Sequence, residues 1–123
     1  NTLAAAEHAL SLLFALARHV PRADAGMKAG AWPKAGLTGF QLEGKKLGVI
    51  GLGRIGGTVA RKALALGMDV AAFDPFLPPA AAGHGSVPLK PLEELLKWAD
   101  VVTLLVAIGA VSWLLASWRL SRD

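Results

Sequence analysis

Cysteine is absent from the chain. No disulfide framework and no thiolate metal site can form, and the absence fits a cytoplasmic location. Charge is sparse: 13 basic and 9 acidic residues leave a formal net charge of +4 over 123 residues. The basic side chains are scattered, with Lys45-Lys46 and Arg61-Lys62 the only adjacent pairs. There is no basic stripe with interleaved aromatics, so nucleic-acid binding is not expected. The N-terminal stretch lacks the pattern of a secretory leader, because Glu7, His8 and Arg18 interrupt it. The first residue is Asn1 rather than Met. The chain is therefore expected to be a piece of something longer, one domain at most, with a core of modest size.

Constellations that could carry chemistry on their own are also missing. His8 and His19 lie eleven apart on one helical pattern, and no third ligand is placed by spacing. They read as helical surface or interface histidines, and His84 sits in a Gly-His-Gly loop. Glu93 and Glu94 are adjacent at the start of a short helix, where they suit its positive end better than acid–base work. Ser11, Ser86, Ser112, Ser117 and Ser121 have no nucleophile-elbow context. No catalytic residue and no metal ligand is expected.

What is present is an alternating pattern. Residues 2–19 (TLAAAEHALSLLFALARH) read as a helix that Asn1 or Thr2 can cap. Glu7, Ser11, Arg18 and Arg22 form only a narrow polar stripe, which implies burial on more than one side. Residues 20–44, with two prolines and five glycines, read as a long connection anchored by Trp32, Leu37 and Phe40. A short apolar strand follows at 47–51, then a helix over 54–67 stopped by Gly67. A second strand, MDVAAF at 68–73, ends at Asp74-Pro75. After a proline-rich loop at 75–90, Pro91 opens a helix LEELLKWA, and VVTLLV at 101–106 supplies a third strand. Strand, helix, strand, helix, strand with short turns predicts a parallel sheet with right-handed crossovers.

Residues 48–57 read GVIGLGRIGG. So much glycine costs conformational entropy, so it needs a reason. The spacing Gly51-x-Gly53-x-x-Gly56 is the dinucleotide fingerprint, and its context agrees. The motif follows a strand, opens a helix, and is followed 21 positions after Gly53 by Asp74 at the end of the next strand. Gly51 permits the tight turn, Gly53 lets a pyrophosphate approach the backbone, and Gly56 lets helix and strand pack closely. Asp74 would accept hydrogen bonds from the ribose hydroxyls and repel a 2′-phosphate, which favours NAD over NADP. The fold class expected is α/β, a Rossmann-like parallel sheet of about three strands preceded by a long N-terminal helix.

The stretches NTLAAAEHALSLLFALAR, LTGFQLEGKKLGVIGLGRIG, GMDVAAFDPFLPP and VPLKPLEELLKWADVVTL resemble the D-isomer-specific 2-hydroxyacid dehydrogenase family, and most closely its D-3-phosphoglycerate dehydrogenase branch. The resemblance implies the NAD-binding portion of an oxidoreductase acting on the CH–OH group of a D-2-hydroxy acid. It implies that Arg54 and Ile55 contact the pyrophosphate through their backbone, that Asp74 holds the ribose, and that Pro75 flanks the adenine. It implies a homodimer through the N-terminal helix and the Trp32 loop. The family usually continues with His-x-Pro-Leu-Thr, whereas this chain has Leu105, Val106, Ala107, Ile108 and Gly109, so the resemblance stops near Leu104. The family's catalytic Arg, Glu and His lie downstream and its substrate domain upstream. The chain is therefore expected to be inactive alone, as a truncated or frame-shifted reading would be; the alternative is a non-catalytic nucleotide-binding or dimerising fragment, with membrane association through its C-terminal apolar run open to it. Its organisation is expected to be 1–44 helix and dimerisation loop, 45–106 partial dinucleotide-binding domain, and 107–123 a divergent apolar tail.

Residues 101–118 carry no charge, and Trp98 and Trp118 flank them like interface anchors. A strand buried on both faces is equally apolar. The register of the preceding residues predicts a strand at 101–106 beside the glycine-motif strand and a helix over 107–120, rather than one membrane-spanning helix.

Overall fold

The structure is a computed structural model that describes residues 1–32, 34–77 and 87–105. Helix α1 spans Thr2–Ala17, a run of alanine and leucine with high helix propensity. Asn1 occupies its N-cap position, but neither it nor any other side chain makes a capping hydrogen bond. The helix ends two residues earlier than the pattern predicts. Arg18 closes it, and His19 takes a left-handed backbone conformation, φ 53° and ψ 35°. The chain then enters a second helix, α2 (Val20–Lys28), bent 66° from the first. The long connection expected over 20–44 is thus helical in its first third. Pro21 sits in the first turn of α2, where its missing N–H costs nothing, and Lys28 pairs with Asp24 at 2.7 Å one turn away.

Three parallel strands follow in the order β2-β1-β3: β1 is Lys46–Ile50, β2 Asp69–Phe73 and β3 Val101–Leu104. Helix α3 (Arg54–Ala65) joins β1 to β2, and α4 (Leu92–Trp98) precedes β3. The crossover from β1 to β2 and the one from β2 to β3 run in opposite directions across the sheet. Right-handedness therefore puts α3 and α4 on opposite faces of the sheet. Val49 and Leu47 of β1 face α1 and α3, and Gly48 between them faces α4. A Cβ on Gly48 would lie 3.1 Å from the Ala99 side chain and 3.2 Å from that of Leu95. The absent side chain is what brings α4 so close.

The core is buried between these layers. Ala6, Ala9, Leu10, Leu13 and Ala17 of α1 pack with Val59, Ala60 and Ala63 of α3, small residues that let the helices approach. Burial of α1 is on one side only, however. Leu3, Leu12 and Phe14 remain exposed, contrary to the two-sided burial its narrow polar stripe implies. Of the anchors expected after it, Phe40 packs against the core and its N–H donates to the Ala17 carbonyl at 3.0 Å, whereas Trp32 is exposed. Helix α3 ends as Gly67 predicts, with φ 81°. The N–H of Gly67 donates to the Leu64 carbonyl and that of Met68 to the Ala63 carbonyl, a Schellman closure. The outer edge of β2 is met by residues 87–90. Ala72 donates to the Pro88 carbonyl at 2.9 Å and accepts from the Lys90 N–H at 2.8 Å. Strand β3 is described to Leu104, shorter than the 101–106 expected. The helix expected over 107–120 lies outside the described residues.

Candidate functional site

Strands β1 and β2 are in register with Ile50 beside Phe73, so Gly51 and Asp74 leave the sheet side by side. This is the carboxyl end of β1, which has β2 on one side and β3 on the other, so the direction of crossing reverses here. In open α/β sheets that reversal is where ligands bind. Gly51 takes φ 93°, a conformation that side chains resist, and turns the chain out of the strand. Its N–H still donates to the Phe73 carbonyl at 2.8 Å.

The other two motif glycines serve different ends. A Cβ on Gly56 would overlap the carbonyl oxygen of Gly51, so only glycine lets α3 rest on the turn. Gly53 is the N-cap of α3, and a Cβ there would meet nothing within 4 Å. Its bareness leaves open space in front of the helix. The first N–H groups of α3, those of Arg54, Ile55 and Gly56, find no capping side chain. They have no acceptor among the described residues. Unpaired N–H groups at a helix start carry partial positive charge and suit an anion.

Asp74 ties the site together. Its Oδ2 accepts from the Leu52 N–H at 2.9 Å, which locks the glycine turn to the end of β2. Its Oδ1 accepts from the Phe76 N–H at 2.9 Å, which shapes the chain beyond the strand. An open groove of about 820 Å³ runs alongside, bordered by Leu52, Gly53, Arg54 and Asp74, by Thr58 and Arg61 further along α3, and by Phe76.

The structure thus brings Gly53, Arg54 and Asp74 to one groove. Gly51 and Gly56 stand behind it as the packed turn. Ile55 packs its half-buried side chain against the core, and its backbone N–H is left without an acceptor among the described residues. Pro75 is exposed beside Asp74 but does not border the groove. Thr58 and Arg61 were not singled out from the sequence. Their signal was helical spacing, since Arg54, Thr58 and Arg61 fall on one face of α3.

Comparison with known families decides the assignment. The profile of the D-isomer specific 2-hydroxyacid dehydrogenase, NAD binding domain, matches residues 10–111. The chain belongs to this family. The match runs past Leu104, where the motif resemblance ends. The D-3-phosphoglycerate dehydrogenase of Bacillus subtilis is 41% identical over 104 residues, 85% of this chain and 20% of that protein. That of Archaeoglobus fulgidus is 44% identical over the same shares. Among solved structures, the apo form of Escherichia coli D-lactate dehydrogenase superposes with a TM-score of 0.77 at 35% identity, covering 89% of this chain and 34% of that one. An Aquifex aeolicus D-lactate dehydrogenase complexed with NAD and lactic acid gives 0.75 at 32% identity, over 86% and 32%. The chain spans about a fifth of the length of these curated relatives.

NAD is the cofactor of the family, and the residues present fit it. An anion-seeking helix start has no side chain in its way, the packed glycine turn supports it, and a carboxylate stands at the end of the neighbouring strand. Among the described residues no single helix is long and apolar enough to cross a membrane, although α1 and α2 together pass that test as a bent pair. Most of the uncharged run 101–118 lies outside the described residues.

Proposed function

We propose that this chain holds NAD for an oxidoreductase acting on the CH–OH group of a D-2-hydroxy acid, of the D-3-phosphoglycerate dehydrogenase kind. The carrying observation is Asp74, whose carboxylate sits 2.9 Å from the Leu52 N–H, beside a helix start with unpaired N–H groups. Bound NAD supplies a hydride acceptor at its nicotinamide. The part of this chain is to hold it. Gly53 clears the approach, and the backbone of Arg54 and Ile55 faces the pyrophosphate. Gly51 and Gly56 keep the turn tight, and Pro75 flanks the adenine side. Asp74 accepts from the ribose hydroxyls. A carboxylate has about four acceptor positions, so it can do this while keeping Leu52 and Phe76. Its charge disfavours a 2′-phosphate.

Titration of the whole chain with NAD and NADP tests the reading, alongside Asp74→Ala. The expected result is tighter NAD than NADP binding, with the difference shrinking in the variant. Tighter NADP binding by the unaltered chain would overturn it.

The chain alone is expected to give no turnover, because among the described residues the groove has no histidine and its one carboxylate, Asp74, is held by the Leu52 and Phe76 N–H groups. General acid–base help is worth roughly 10²–10⁴-fold. NADH oxidation with hydroxypyruvate or phosphohydroxypyruvate, at the rate of an ordinary dehydrogenase, would refute this. We also infer a homodimer, supported by the exposed Leu3, Leu12 and Phe14 of α1 and the exposed Trp32 beyond it. A cytoplasmic location accords with the lack of cysteine.

A further inference from the structure

We propose that Arg61 is a second determinant of cofactor choice, a cation that meets a 2′-phosphate on the adenosine ribose and so tempers the refusal of NADP by Asp74. The proposal rests on the NAD reading above. Helix α3 carries Arg54, Arg61 and Lys62 and no acidic residue. Lys28 and Lys97 each pair with a carboxylate one turn away, at 2.7 and 3.1 Å. The guanidinium of Arg61 makes no ion pair and no hydrogen bond among the described residues. It is exposed and borders the same groove as Asp74. An unpaired arginine beside a helix start that seeks anions is a ready partner for phosphate.

Neighbouring groups in the groove are already engaged. The Thr58 hydroxyl donates to the Arg54 carbonyl at 2.8 Å. Both oxygens of Asp74 accept backbone N–H groups, from Leu52 and Phe76, each at 2.9 Å, and Asp74 makes no ion pair among the described residues. The groove therefore holds a cation and an anion that do not neutralise one another. Arg54 stands at the first position of α3, and Arg61 follows two turns later, about 10 Å along the axis. The 2′-oxygen lies across the ribose from the 5′ carbon that carries the pyrophosphate. A cation answering the pyrophosphate belongs at the helix start, and one answering a 2′-phosphate belongs further along. NAD has a hydroxyl at that place and NADP a dianion, so Arg61 acts on one cofactor and Arg54 on both. Specificity is a difference of affinities, and Asp74 and Arg61 push it in opposite directions.

The test is calorimetric titration of the whole chain with NAD and NADP, for Arg61→Gln, Arg61→Lys and Arg54→Gln, and phosphorus NMR of the 2′-phosphate of bound NADP. Arg61→Gln is expected to widen the preference for NAD about fivefold, the scale of one exposed ion pair, through weaker NADP binding. Arg61→Lys, which keeps the charge, is expected to hold the original ratio. Arg54→Gln is expected to weaken both cofactors alike; a changed ratio there and not at Arg61 overturns the assignment. The 2′-phosphate should titrate at higher pH in Arg61→Gln, because a neighbouring cation favours the dianion. Repeating Arg61→Gln in the Asp74→Ala background, where NADP binds better, keeps the comparison measurable. The effect is expected to persist there, and its disappearance would mean that Arg61 screens Asp74 rather than meets the phosphate, which overturns the contact. An unchanged ratio in Arg61→Gln, or NAD and NADP weakened in step, overturns the role of Arg61 and leaves the NAD reading standing. Failure of the unaltered chain to bind NAD at all is the distinct result that removes both.

Discussion

Gly56 and Gly57 are neighbours on one helix, held as glycine by opposite circumstances. A Cβ on Gly56 would overlap the Gly51 carbonyl, whereas one on Gly57 meets nothing within 4 Å. Gly56→Ala must push α3 away from the turn and is expected to cost about 1–3 kcal/mol. Gly57→Ala relieves a helix of its poorest former and is expected to gain about 0.5–1 kcal/mol. Urea unfolding of both variants checks the pair, and shifts of the same sign would mean that contact with Gly51 is not what separates them. The fingerprint spacing made Gly56 legible in the sequence because its role repeats at a fixed distance from the turn. Asp74 was legible as the acidic end of a strand. Its bond to Leu52, 22 residues away, was not, because it exists only once β1 and β2 are in register. Phe76 was invisible for a related reason: a phenylalanine after a strand reads as core until its exposure is measured.

At the scale of elements, the strands and α3 were legible because each is short, periodic and bounded by a glycine or an aspartate. Helix α2 was not. Pro21, Gly26 and Gly30 look like loop residues, yet proline is neutral in a first turn and Gly30, at φ 75°, marks an end rather than an interior. The break between α1 and α2 falls on His19, which has a Cβ in a left-handed conformation at a cost of about 1–2 kcal/mol. His19→Gly is expected to raise stability by about 0.5–1 kcal/mol once the extra freedom of unfolded glycine is subtracted. Thermal unfolding measures it. A loss of stability instead would mean that the imidazole contributes more than its backbone costs.

Over the whole molecule, the place of the third strand beside the glycine-motif strand was legible from the register of the residues before it, whereas crossover handedness fixes only the face each helix takes. The surroundings of α1 did not follow, because an apolar face reads alike whether this chain or another covers it. Phe14, 43% exposed, tests which holds. Phe14→Asp is expected to turn a dimer into a monomer in sedimentation while the circular dichroism spectrum stays the same. A monomeric unaltered chain at tens of micromolar would refute the dimer. The contact between β2 and residues 87–90 bears on a different kind of association. Ala72 has both its outward backbone groups taken, and the residues that take them are bracketed by Pro88 and Pro91, which have no N–H to offer a newcomer. A stray extended chain finds the middle of that border already bonded. Fibril growth by strand addition is thereby discouraged along the β2 side of the sheet.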